Sequence, residues 1–313
     1  MTAWSRSEDH DPQGSAPGSE PLAASWRPDP GPRHARPSRR GWLWLLLALP
    51  LLLIVSGLAL LRAGEPRHHR PAAADQAPPL VQQPPANQSF PPETFSANLP
   101  PGGEIPATGD GSFSALPGSS PVVGSGRLQR YTVEVENGVR LPGGNDTFGE
   151  LVQDTLSDPR SWTNPKAATP RGPLALQRVE AGGPRPDFRV TLVSQQTARQ
   201  VCGYQRGLPV DTSCKVGDRE YINAARWVRG AVAFEGDMGA YRHYAINHEV
   251  GHAFGLDHVG CPAPGALAPT MMQQTFGVSN DVLHDLNTEA SQGTAIPRNG
   301  FTCRPSAWPF PTG

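Results

Sequence analysis

Lysine is almost missing from this chain: Lys166 and Lys215 are its only copies among 313 residues. With 27 lysines and arginines against 28 acidic residues, the formal net charge is -1. A balance of that kind gives no electrostatic footprint for nucleic acid, which is not expected as a partner. Cysteine is nearly as scarce. Its four copies, Cys202, Cys214, Cys261 and Cys303, contain no Cys-x-x-Cys spacing, which argues against a zinc site built on cysteine pairs. No internal repeat is visible, so a solenoid or propeller is excluded.

Long apolar runs are also lacking, with one exception. GWLWLLLALPLLLIVSGLALL, residues 41–61, runs for 21 residues without a charge. At about 1.5 Å rise per residue this spans the roughly 30 Å hydrocarbon core. Trp42 and Trp44 suit the interface, and Arg33, Arg36, Arg39 and Arg40 precede the run, favouring a cytoplasmic N-terminus. A cleaved signal peptide fits less well, because signal cores are usually about 7–15 residues. The expectation is a single-pass signal anchor in the cell membrane with everything after Arg62 extracytoplasmic. All four cysteines then lie in an oxidising compartment, where two disulfides are expected. Four cysteines allow three pairings; Cys202–Cys214 with Cys261–Cys303 is preferred, because proximity in sequence makes the first pair natural.

Glycine (34) and proline (36) are abundant. Residues 1–40, rich in Pro, Ser, Gly and Arg without apolar periodicity, are expected as a disordered cytoplasmic tail. Residues 62–124, with Pro-Pro pairs at 78, 84, 91 and 100, are expected as an extended, disordered spacer. Regular patterning begins near Arg127. RYTVEVENG alternates Tyr131, Val133 and Val135 against polar residues and turns at Asn137-Gly138, predicting a strand. Phe148 to Leu156 has helical spacing, with Thr147 as a cap. LALQRVE and DFRVTLVS read as strands, QTARQVCG as a short helix, and REYINAARW as a strand leading to a loop. AVAFEG is a short strand candidate, and helices are expected over about 238–254 and 280–289. The sum is one monomeric α+β domain over 125–313, long enough to bury a substantial core.

Chemistry concentrates in HEVGHAFGLDH, residues 248–258. His248 and His252 are four apart, about 400° on a helix, so both rings leave nearly the same face. Glu249 lies about 60° round from His252. If the helix continued, His258 would lie about 240° round and roughly 9 Å along from His252, out of reach. Gly255 resolves this, because glycine readily takes the left-handed conformation that ends a helix and turns the chain back. Three imidazoles with a fourth position left open suit a catalytic zinc ion, whereas structural zinc sites are closed by four ligands. HExxHxxGxxH would arise by chance in roughly one such chain in 10⁴ to 10⁵, which sets it well apart from a lone HExxH.

These residues resemble the extended zinc motif of the metzincin metalloproteases, and PTMMQQT at 269–275 resembles their methionine turn. More narrowly, YTVEVENG, DPRSW, YINAARW, YRHYAINHEVGH, CPAPG, MMQQT and a terminal Cys-x-x-x-x-Trp-Pro are similar to zinc-protease-like domains of actinobacterial envelope proteins. The resemblance covers roughly 125–313. It implies a zincin-like fold with a mixed sheet and an active-site helix, Zn²⁺ on His248, His252 and His258, and Glu249 as general base and acid. It also implies Met272, or else Met271, as the turn methionine. Asp257 could orient a ligand ring; Tyr241 and Tyr244 read as helix packing, and His243 and His284 as ordinary histidines. The tyrosine that some metzincins carry after the methionine is replaced here by Gln273, Gln274 and Thr275, which leaves the oxyanion stabiliser open. Three readings follow: an extracytoplasmic zinc metalloendopeptidase acting on protein or peptide, a zinc amidase or peptidase acting on cell-wall peptides, or a catalytically silent envelope binding module.

Overall fold

Alternation in RLQRYTVEVE makes Arg127–Glu136 the longest strand of the domain, β3, and the rest of the sheet is assembled on it. The computed structural model describes residues 92–167, 169–205, 208–209, 211–290 and 295–312. The tail (1–40), the apolar run (41–61) and the first part of the expected spacer lie outside them. Among the described residues no helix is long and apolar enough to cross a membrane.

The expected spacer is corrected over its C-terminal part. Residues 92–124 carry a 3-10 helix (Pro92–Ala97) and two strands, β1 (Phe113–Ala115) and β2 (Val123–Gly124). β1 pairs antiparallel with the end of β3, Phe113 opposite Glu136, and β2 with β4 (Leu174–Arg178). Composition misses this segment because its order comes from pairing with distant strands rather than from an apolar stripe of its own. The carbonyls of Pro106 and Ala107 accept from Gln195 and Gln196 N–H, at 3.0 Å each.

The domain is α+β with a mixed sheet. After β3, α1 (Asp146–Ser157) precedes β4; β5 (Phe188–Val193) leads into α2 (Gln195–Cys202). A two-residue pair, β6 (Tyr204–Gln205) and β7 (Leu208–Pro209), precedes β8 (Cys214–Val216) and β9 (Arg219–Asn223). Along the sheet the order is β2-β4-β3-β5-β9-β8: β4, β3, β5 and β9 are parallel, and β8 is an antiparallel terminal strand. α3 (Ala224–Arg229), α4 (Met238–Ala253) and α5 (Asn280–Ala290) complete the fold.

Side-chain alternation divides the two faces. Tyr131, Val133, Leu176, Val190, Leu192 and Ile222 pack with Phe148 and Val152 of α1 and with Ile246 and Val250 of α4. Val193 and Tyr221 face the other way, onto Ala198 of α2. Burial of this kind contributes about 25 cal/mol per Å² of apolar surface and fixes α4 against the sheet.

Three local expectations change. Thr147 does not cap α1; its hydroxyl donates to Gly144 O at 2.7 Å, while Asn145 at the N-cap turns its side chain back to Leu141 N and Val139 O. The loop expected after YIN is α3, because the Asn223 side chain accepts from Ala225 N at 2.9 Å and starts a helix. AVAFEG is not a strand but a 3-10 turn, Val232–Phe234, bracketed by left-handed Gly230 and Gly236 with Phe234 packed on Tyr241 and Tyr244.

Candidate metal centre

Asp237 starts α4 by accepting from Ala240 N at 2.9 Å. The helix is then clamped one residue before the histidines. Ser161 Oγ donates to Asn247 Oδ1 (2.7 Å), Trp162 Nε1 donates to Asn247 O (2.8 Å), and Asn247 Nδ2 donates to Ala307 O (3.1 Å). The DPRSW segment thus fixes the depth and rotation of α4, a role that its sequence did not announce.

The C-terminus of α4 is a Schellman turn. Leu256 N–H donates to Gly251 O (3.2 Å), Gly255 N–H donates to His252 O (3.0 Å), and Gly255 stands at φ +86°. The reversal carries His258 back to the helix. Ligand atoms of His248, His252 and His258 all lie within 4.8 Å of one another, and His252 Nε2 is 3.2 Å from His258 Nε2. These three residues form a cluster able to hold a metal ion.

Backbone carbonyls set the tautomers of the two helical ligands. His248 Nδ1 lies 2.8 Å from Thr270 O, and His252 Nδ1 lies 2.8 Å from Leu256 O. A carbonyl only accepts, so each Nδ1 carries the hydrogen and each Nε2 presents its lone pair. Asp257, open in sequence between orienting a ring and being an exposed turn residue, is exposed; the neighbouring Leu256 carbonyl holds the His252 ring. Tyr244 is more than packing: its hydroxyl donates to Met272 O at 2.9 Å and lies 3.4 Å from His248 Nδ1. Tyr241 is fully buried, with its hydroxyl 3.3 Å from Thr275 Oγ1.

Burial holds His248 well below the usual imidazole range, with smaller contributions from His252 and His258. Burial lowers His252 as well, and burial followed by His252 brings His258 down to about 4. Neutral imidazole is the form that ligates a metal, so all three rings are ready near neutral pH. Glu249 moves the opposite way: burial, then the nearby Glu220 carboxyl, pushes it well above the usual carboxylate range. Its Oε2 is buried without a hydrogen-bond partner. An orphaned carboxylate is costly, and beside three lone pairs it is the complement that a cation and a water would satisfy. The donor set therefore fits a metal ion.

The histidines and Glu249 line one cleft of about 430 Å³, with Thr212, Ser213, Cys214 and Lys215 along one wall and Leu256, Asp257 and Gln273 also on its lining. β8, the terminal strand of the sheet, supplies Cys214 and Lys215 of that wall, and the residues leading into it supply the rest. Both disulfides form, Cys202–Cys214 and Cys261–Cys303, and the first lies on the cleft itself.

The two methionines of the turn separate. Met272 is fully buried in a cluster with Cys261, Phe276 and Leu286, whereas Met271 belongs to the main core. A Cβ on Gly251 would collide with Met271 Sδ and Trp162 Cζ2, so Met271 and Trp162 pack directly against that glycine of α4. His243 and His284 lie outside the cluster, each with Nδ1 satisfied, by Thr155 Oγ1 (2.8 Å) and Ile296 O (2.7 Å).

A mixed sheet backed by a helix that brings three imidazoles and a carboxylate to one cleft defines the class: an α+β domain with a candidate metal centre. The chain belongs to the family described as "Protein of unknown function (DUF3152)", which matches residues 99–311. That match begins well inside the segment that composition reads as spacer, in agreement with the strands found there. No curated protein and no solved structure matches the chain.

Proposed function

We propose that the domain is an extracytoplasmic zinc metallopeptidase, anchored through residues 41–61, that hydrolyses peptide bonds. The observation that carries the reading is the pairing of the His248, His252 and His258 cluster, its two helical rings fixed in tautomer, with the partnerless Glu249 Oε2 on one cleft. A purely structural metal site has no use for that carboxylate. His248, His252 and His258 would hold the zinc, which would supply Lewis-acid chemistry toward a water and a substrate carbonyl. A cation there also favours ionised Glu249, against the effect of its burial. Glu249 then takes a proton from the attacking water and passes it to the departing amine nitrogen.

β8 supports a peptide substrate. As the terminal strand it has, among the described residues, no strand paired on its outer edge beside the cleft, and an extended chain can add to such an edge. Two disulfides agree with an oxidising compartment.

Purified protein incubated with casein, and separately with purified cell wall, with and without a zinc chelator, tests the reading. Chelator-sensitive cleavage of casein supports a general peptidase, and cleavage of cell wall alone moves the substrate to wall peptides. Chelator-insensitive binding with no cleavage of either would favour the binding module and overturn the hydrolase.

A further inference from the structure

Two consecutive glutamines after Met272 have opposite surroundings. Gln274 is fully buried with both ends of its amide engaged: Nε2 donates to Pro269 O (3.2 Å) and Ser306 O (3.0 Å), and Oε1 accepts from Ser306 N (2.9 Å). Gln273 is half-buried and lines the cleft with His258 and Glu249. Its amide has no hydrogen-bond partner among the described residues. The turn that carries it is pinned on both sides, by Gln274 N–H to Met272 O (2.7 Å) and Phe276 N–H to Gln273 O (3.0 Å).

The Thr212 hydroxyl, the Nδ1 hydrogens of the two helical histidines and the Lys215 ammonium are committed, whereas Ser213 Oγ acts as an acceptor. Thr212 Oγ1 donates to Ser213 O at 3.0 Å, and Ser213 Oγ accepts from Asn223 N at 3.1 Å. The Nδ1 hydrogens of His248 and His252 go to Thr270 O and Leu256 O. Lys215, exposed on β8, is tied to Gly217 O, and its charge would compete for Glu249. Among the described residues Gln273 is a neutral side-chain amide on the cleft with no protein partner.

Amide hydrolysis needs such a donor. As the water oxygen bonds to the carbonyl carbon, the C=O π electrons move onto oxygen, the water proton passes to Glu249, and cleavage of the C–N bond returns it to the amine. A fixed neutral N–H aimed at the growing oxyanion stabilises that charge without itself losing a proton.

We propose that the Gln273 side-chain amide donates to the carbonyl oxygen of a bound peptide and to the oxyanion that develops on it. Gln273 is then a further catalytic residue, an assignment that rests on the hydrolase reading above.

The test uses the zinc-loaded full chain and a phosphinic tripeptide, whose tetrahedral phosphorus places oxygens where the attacked carbonyl would be. By calorimetry, Gln273→Ala weakens phosphinate binding by about 10-fold or more, and kcat on a quenched fluorescent peptide falls by about 10²-fold with KM little changed. Zinc content and thermal midpoint stay at wild type. Gln273→Glu, which keeps the shape but replaces the donor by a repelling oxygen, weakens phosphinate binding further and covers the case in which the alanine variant fails to fold. Wild-type affinity and kcat in Gln273→Ala, or loss of its zinc, overturn the assignment alone. A wild-type protein that neither binds the phosphinate nor cleaves peptide or cell wall overturns the hydrolase reading and this assignment with it. Phosphinate binding that depends on Gln273 without any cleavage overturns the hydrolase and reduces Gln273 to a ligand contact.

Discussion

His252 Nδ1 lies 2.8 Å from the carbonyl oxygen of Leu256, so the turn that brings His258 back also holds the ring of His252. One glycine thereby controls two of the three candidate ligands. Gly255 sits at φ +86°, and a Cβ there meets nothing within 4 Å, so substitution costs backbone strain alone. Gly255→Ala is expected to lose about 1–2 kcal/mol of stability. It should also weaken zinc binding by more than the loss in thermal midpoint explains, because both rings shift. Chelator-competition titration beside a urea melt checks this; unchanged zinc affinity in a destabilised protein would show that the turn does not position the ligands.

Glu249 and His252 separate chemistry from metal holding. Glu249→Gln keeps the shape beside the cluster but cannot take a proton, so zinc content stays near wild type while turnover falls by about 10³-fold or more. His252→Ala removes a ligand and is expected to lose both. Metal analysis together with chelator-sensitive casein cleavage reads the two variants, and a fully active Glu249→Gln protein would remove Glu249 from the mechanism.

Glu220 makes stability depend on pH. It is fully buried on β9, with Lys215 opposite on β8, and both carboxylate oxygens lack hydrogen-bond partners. Burial pushes its pKa to about 8, with Lys215 lowering it and Asp218 raising it. The folded state therefore holds this proton more tightly than the unfolded chain does. The resulting stabilisation is complete below about pH 4.5 and is lost as pH rises to about 8. Glu220→Gln, neutral throughout, should match wild type near pH 4.5 and exceed it by a few kcal/mol at pH 8. Urea melts across that range give the difference; a gap that does not widen with pH would mean that Glu220 is ionised in the fold.

The ligand set was legible because HExxHxxGxxH encodes its geometry within eleven residues: the helix places His248 and His252, and Gly255 returns His258. What orients those ligands was not. Leu256 O and Thr270 O are backbone atoms, and any residue type could supply them, so no side chain pointed to either. DPRSW stood out as a motif, yet its grip on Asn247 spans some 85 residues of chain. Within the fold, alternation found β3, β4, β5 and β9, while the helical periods found α1 and α4. Asn223 followed by two alanines and an arginine was a cap signal that could have given α3. Strands β1 and β2 had no such signal, since a three-residue and a two-residue strand are defined by their partners.

Arg226 ties that unannounced N-terminal segment to the wall of the cleft. Its guanidinium is completely buried and donates to the carbonyls of Ala97 (2.7 Å), Asn98 (3.0 Å) and Gly230 (3.2 Å), and also to Asp211 O. Asp211 immediately precedes Thr212 and Ser213, which line the cleft. Among the described residues no carboxylate bonds the guanidinium; the four carbonyls, with the nearby Asp211 charge, offset its desolvation. Arg226→Met fills most of the volume but strands four carbonyls, and is expected to cost about 3 kcal/mol or more. Because two of those carbonyls belong to residues 97 and 98, limited proteolysis should cut the variant first between about 95 and 110, at urea concentrations where α4 stays protected. Arg226→Lys, with a single ammonium, can recover only part of the set and should fall between the two. Cutting in the same order as wild type would mean that β1 and its pairing with β3, rather than Arg226, hold the segment in place.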